Sequence, residues 1–152
     1  SFIPNTFIGN HDVTRIASTL GAAGAVVALA VLMTVSGVPS IYYGDEQGFT
    51  GVKEERFGGD DAVRPAFPDS PDDLLPLGRP VLDAHRALIA LRRERPWLTT
   101  ARTEVLDLTN THMTYRASSG GGDHLDVTLD LKGTPSASIC DAAGTEIWRT
   151  DT

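Results

Sequence analysis

Phe7-Ile8-Gly9-Asn10-His11-Asp12-Val13-Thr14-Arg15 is the stretch whose reading decides the fold. It starts apolar and ends polar within a few residues, as a buried strand does where it leaves a sheet, and Asn5 to Gly9 is therefore expected to be a strand. From Thr14 to about Ser36 the chain is rich in Ala, Leu, Val and Met, with Asp12 or Thr14 available as an N-cap and Gly37 as a C-cap ahead of Pro39. A second strand-like run, Ser40-Ile41-Tyr42-Tyr43, follows and again ends in polar residues. Strand, helix and strand with short links form a βαβ unit, and two parallel strands ending in polar groups place function at their C-terminal edges, residues 10–12 and 44–48.

Further out, Gly44 to Gly78 holds many of the Gly, Pro and Asp residues and has no steady periodicity, the mark of a long functional or mobile loop. Arg79 to Arg95 returns to helical spacing, with Val81, Leu82, Ala84, Ala87, Leu88, Ile89 and Leu91 on an apolar side and Pro96-Trp97 closing it. Beyond Leu98 the pattern becomes short alternating runs over 103–108, 112–117, 124–131, 136–141 and 145–149, separated by glycine-containing turns. That predicts a small antiparallel β domain.

The 152 residues carry 20 acidic and 13 basic side chains, a net charge of −7, which disfavours nucleic acid and anionic lipid as partners. One cysteine, Cys140, excludes an internal disulfide framework, and four scattered histidines offer no zinc spacing. The compartment stays open, a cytoplasmic location slightly favoured over secretion. No charge lies between Arg15 and Asp45, so a membrane hairpin over residues 16–43 has to be weighed. The many small residues and the absence of a flanking basic cluster favour an outer-layer helix instead.

The string around Asn10-His11-Asp12 closely resembles the fourth signature region of glycoside hydrolase family 13, the α-amylase family. The resemblance continues through Gly37-Val38-Pro39-Ser40-Ile41-Tyr42-Tyr43-Gly44-Asp45-Glu46-Gln47-Gly48, through Asp61 to Pro65, and through Arg95-Pro96-Trp97-Leu98 into the trailing β domain. It implies α/β plus all-β architecture: residues 1–98 as the last two βα units of a (β/α)8 TIM barrel, and residues 99–152 as a small antiparallel β-sandwich domain. Because such a barrel needs roughly 250 residues, the chain reads as the C-terminal part of a longer enzyme. It begins without Met, as if cut inside a larger protein.

By the same resemblance, Asp12 is the transition-state-stabilising carboxylate of a retaining α-glycosidase acting on starch-like oligo- or polysaccharides. His11 contacts the same sugar, and Asn10, Arg64 and Asp61 are substrate-binding candidates. Asp60 accompanies Arg64 and Asp61 on that loop. A carboxylate and a hydrogen-bonding neighbour against the sugar ring strengthen their contacts as oxocarbenium charge develops. The bland alternative for Asp12 is a helix cap. Asp45 and Glu46 also follow a strand, yet their motif is read as a structural turn. The family's nucleophilic Asp and general-acid Glu lie on earlier strands, so this chain alone is expected to be inactive and to self-associate through uncovered barrel surface. No cofactor or metal is expected within it; a structural calcium belongs, if anywhere, to the rest of the parent. The competing view is a non-catalytic structural or carbohydrate-binding β module with a helical lead. Residues 102–152 contain only Tyr115 and Trp148 as aromatics, too few for a sugar-binding patch.

Overall fold

The computed structural model describes residues 2–74 and 78–150. Two short parallel strands, β1 (Asn5–Thr6) and β2 (Val38–Pro39), flank helix α1 (Ile16–Thr34). The parallel βαβ unit predicted from the sequence is present, but its strands are shorter than expected and displaced. Pairing is confined to Asn5 with Val38 and Thr6 with Pro39, and ends where Ser40 N–H donates to the Thr6 carbonyl at 2.7 Å. The run Ser40 to Tyr43 is not a strand. It is already bending toward Gly44, whose φ of +84° only glycine adopts readily, and a 3₁₀ turn over Asp45–Gln47 follows.

Helix α1 begins after Arg15 and lacks a side-chain cap, so neither Asp12 nor Thr14 performs the capping expected of them. Thr14 Oγ1 instead accepts from the Lys53 amide at 3.0 Å. The helix is interrupted at Gly21 (φ +71°) and then runs regularly to Thr34, with Val35 rather than Gly37 at its C-cap. Its composition and length are those of a membrane-crossing helix. In the fold, however, Val27, Leu29, Ala30, Leu32 and Met33 are buried between helix α2 (Arg79–Arg93) and the sheet described next. Arg92 of α2 closes the end of α1, donating to the carbonyls of Met33 (2.8 Å), Val35 (2.9 Å) and Gly37 (2.6 Å). The Met33 and Val35 carbonyls are among those a helix C-terminus leaves without partners; Gly37 lies in the link that follows.

On α2 the buried side chains are Val81, His85, Leu88 and Leu91, one per turn. Ala87, assigned to the apolar side by spacing, is exposed and His85 takes the inner position. Over residues 44–74, three short 3₁₀ turns (45–47, 61–63 and 71–73) are the only regular structure.

The C-terminal strands β3 (Arg102–Leu108), β4 (His112–Ser118), β5 (His124–Asp130), β6 (Ser136–Asp141) and β7 (Glu146–Arg149) form one antiparallel meander in chain order. The antiparallel domain is as expected; its layering is helix on sheet, not the two sheets of a sandwich. Alternate residues Tyr115, Ala117, Leu125, Val127, Leu129, Ala137 and Ile139 are buried and share one core with α1 and α2. One apolar face per sheet has to be covered, and the apolar helix already covers it. A polar contact crosses this seam where Thr34 Oγ1 and the Tyr115 hydroxyl lie 2.5 Å apart, Thr34 also reaching the Ala30 carbonyl at 2.7 Å. Burial pushes the Tyr115 phenol up to about 12, only partly countered by the Thr34 hydrogen bond.

Candidate active site

The exit of β1 runs through Gly9 into a tight polar turn. The Asp12 amide donates to Asn10 Oδ1 at 2.7 Å, so Asn10 shapes the turn that presents Asp12. Freed from capping, the Asp12 carboxylate points outward and is more than half exposed. His11 Nε2 lies 3.2 Å from its Oδ2, and Arg64 Nη2 donates to its Oδ1 at 3.1 Å. The same Arg64 nitrogen donates to Asp60 Oδ2 at 2.8 Å, while Arg64 Nε reaches the His11 carbonyl at 3.1 Å. Lys53 Nζ stands 3.4 Å from the other oxygen of Asp60.

Of the predicted site residues, Asn10, His11, Asp12 and Arg64 are therefore assembled in one exposed cluster although 52 residues separate Asp12 from Arg64. Asp61 is not part of it. It opens the 3₁₀ turn over Asp61–Val63 with its side chain exposed, and the preceding Asp60 pairs with Arg64 from one turn earlier. Lys53 went unnoticed in the sequence because nothing in its neighbours signals that the loop folds back on α1.

That folding-back is the work of the residues at the start of α1 and just before it. The Arg15 amide donates to Gly51 O at 2.9 Å, the Gly51 amide to Ser18 Oγ at 2.8 Å, and the Lys53 amide to Thr14 Oγ1 at 3.0 Å. Gly51 is required there, since a Cβ would sit 2.0 Å from the Ala62 carbonyl oxygen.

Beneath the cluster lies Arg15, 1% exposed. Its guanidinium donates from Nε to the Val63 carbonyl (2.9 Å) and from Nη1 to the Tyr43 carbonyl (2.5 Å) and Asp45 Oδ1 (2.9 Å). The rings of Tyr42 and Tyr43 stack on it at 4.1 and 5.0 Å. The two tyrosines thus enclose a cation while staying partly exposed, rather than filling an apolar core. Burial holds the Asp45 carboxyl above its ordinary range, against the opposing pull of Arg15. The turn reading of Asp45 fits its position; the buried partner Arg15 was not foreseen.

Residues 1–101 match the family model of the alpha-amylase catalytic domain. The maltogenic alpha-amylase of Bacillus acidopullulyticus is 37% identical over 93 residues, covering 60% of this chain and 14% of that protein. The 4-alpha-glucanotransferase of Thermotoga neapolitana is 41% identical over 54 residues, covering 34% of this chain and 12% of that protein. Among solved structures, the debranching enzyme of Nostoc punctiforme superposes with a TM-score of 0.67 at 26% identity, over 90% of this chain and 26% of that one. The chain thus spans only about an eighth of these curated relatives, and β1, α1, β2 and α2 are βα units of a (β/α)8 barrel followed by its antiparallel β domain. With two thirds of its length matching the catalytic-domain model, the chain belongs to the alpha-amylase family.

Proposed function

We propose that the chain contributes one wall of the active site of a retaining α-glycosidase that acts on α-glucosidic bonds in starch-like oligo- or polysaccharides, and that Asp12 is its transition-state-stabilising carboxylate. One observation carries this reading: the Asp12 carboxylate is not spent on the helix that follows it but is turned outward and held beside His11 by Arg64. An outward carboxylate with fixed neighbours can take hydroxyl hydrogen bonds that tighten as positive charge develops on the sugar ring. His11 would add a second contact to the same sugar. Asn10 acts through the turn it shapes. Arg64 keeps the carboxylate in register, with Asp60 as its counter-charge, and Asp61 stands on the same loop at the rim of the substrate cleft.

The nucleophile and the general acid must come from other barrel strands, since no residue of 1–152 matches either. Residues 1–152 alone would then be inactive. Whether the complete enzyme passes the glucosyl group to water or to a second sugar depends on groups outside these residues. In the full-length enzyme, Asp12→Asn is expected to lower kcat on a maltooligosaccharide by about 10²–10³-fold, the range seen when a strong electrostatic contact to the transition state is removed, with the thermal midpoint little changed. Near-normal turnover in that variant would remove Asp12 from the site.

A further inference from the structure

We propose that Arg15 and Asp45 form a buried positioning pair that fixes the geometry of Asp12 from below, without touching substrate; this rests on the reading of Asp12 as a site carboxylate.

The pair joins three separate segments. Arg15 follows Asp12 by three residues, Asp45 lies in the turn after β2, and the Val63 carbonyl that Arg15 Nε holds belongs to the residue before Arg64. On the other side of Arg64, the Pro65 carbonyl accepts from the Tyr43 hydroxyl at 2.9 Å, and the Tyr43 carbonyl is itself bound to Arg15 Nη1. Both backbone neighbours of Arg64 are therefore tied, directly or through Tyr43, to one guanidinium, and Arg64 in turn grips Asp12. The pair also brackets the catalytic turn from its entry. A Cβ on Gly9 would stand 3.0 Å from Asp45 Oδ2, so Gly9 lets the chain pass against that carboxylate just before Asn10.

Stability is a poor account of this arrangement. Both side chains are almost wholly buried, yet Arg15 Nη2 and Asp45 Oδ2 have no hydrogen-bond partner among the described residues. A buried pair left partly unsatisfied seldom outweighs its desolvation cost, and registry is the better-attested use of such pairs. A planar fork that reaches three acceptors in fixed directions is also something lysine cannot supply.

The test is a kinetic cycle in the full-length enzyme with an activated aryl α-glucoside, so that weak rates are readable. Arg15→Lys is expected to lower kcat by about 100-fold, the loss that a misplacement of roughly 1 Å can cause, while KM moves less than threefold. In an Asp12→Asn background the same change should cost no more than about threefold, because there is no longer a carboxylate to misplace. Gly9→Ala, which presses on Asp45 from the opposite side, should lower kcat by about tenfold with unfolding unchanged. Equal losses in both backgrounds, a change confined to KM, or an unaltered kcat would overturn the proposal. If Arg15→Lys does not fold, Gly9→Ala decides alone: wild-type kcat overturns the proposal and a selective kcat loss supports it. Asp12→Asn with normal turnover would instead discard the underlying site assignment, an outcome separate from any of these.

Discussion

At the residue scale, local chemistry marks Asn10, His11 and Asp12, while Arg64, Asp60 and Asp61 entered as candidates only through the family resemblance. The tripeptide Asn10-His11-Asp12 announces itself because three polar groups end an apolar run, whereas Arg64 and Asp60 join that turn only because the loop carrying them folds onto it. His85 is the opposite case. The sequence attached no role to it, and it is buried on the inner side of α2, Nδ1 2.8 Å from the Val81 carbonyl and Nε2 without a partner among the described residues. Burial holds His85 below the ordinary histidine range, and the hydrogen bond to Val81 and the negative Glu46 and Asp45 offset this only in part. A histidine kept neutral in the folded state favours folding fully above its unfolded pKa of 6.5 and loses that contribution as pH falls below it, because the unfolded chain then binds the extra proton. The thermal midpoint should therefore drop as pH is lowered from about 7 to about 5.5, and a His85→Phe variant should show a flatter slope over that range. Identical slopes would exclude His85 as the source. On the sheet, Arg116 and Asp126 face each other in register and pair through two bonds, 2.7 and 2.8 Å, the hydrogen bond from Arg116 pulling the Asp126 carboxyl below its ordinary range. Partly exposed, that pair should show a coupling by double-mutant cycle that is present at neutral pH and lost as pH falls below the unfolded value of 3.8.

At the scale of elements, the helices were legible because period and composition agree over many turns, while the barrel strands were legible only in kind. A two-residue parallel pair carries too little pattern to set its own ends, and β2 came out two residues earlier than the apolar run suggested. Capping also went to tertiary partners. The end of α1 is held by Arg92 from α2, so Arg92→Ala should cost about 2 kcal/mol in chemical unfolding, as charged hydrogen bonds to carbonyls do. A loss under about 0.5 kcal/mol would mean that water replaces Arg92 at those carbonyls. Tyr115→Phe, which removes one side of the α1–sheet hydrogen bond but leaves Thr34 its backbone acceptor, should cost only about 1 kcal/mol.

At the scale of the whole molecule, the accessible surface is 9039 Å², against about 7,500 Å² for a compact monomer of this mass. Phe2, Ile3, Phe7 and Val38 contribute to the excess, all exposed on or beside the two parallel strands. Residues 1–152 by themselves are expected to self-associate through this surface, with a sedimentation mass that rises above 16.2 kDa with concentration. A clean monomer at high concentration would contradict that.

The sequence by itself determined the order of elements, the βαβ unit, the antiparallel domain and the position of Asp12, because each rests on periodicity or on a contiguous run of residues. Only the tertiary structure decided that Asp12 is not a cap, that Asp60 rather than Asp61 pairs with Arg64, that one sheet on a helix replaces a sandwich, and that Arg15 is buried against Tyr43, Asp45 and Val63. Each of those depends on contacts between segments far apart in the chain, where burial and hydrogen-bond geometry choose among partners that local pattern leaves equivalent.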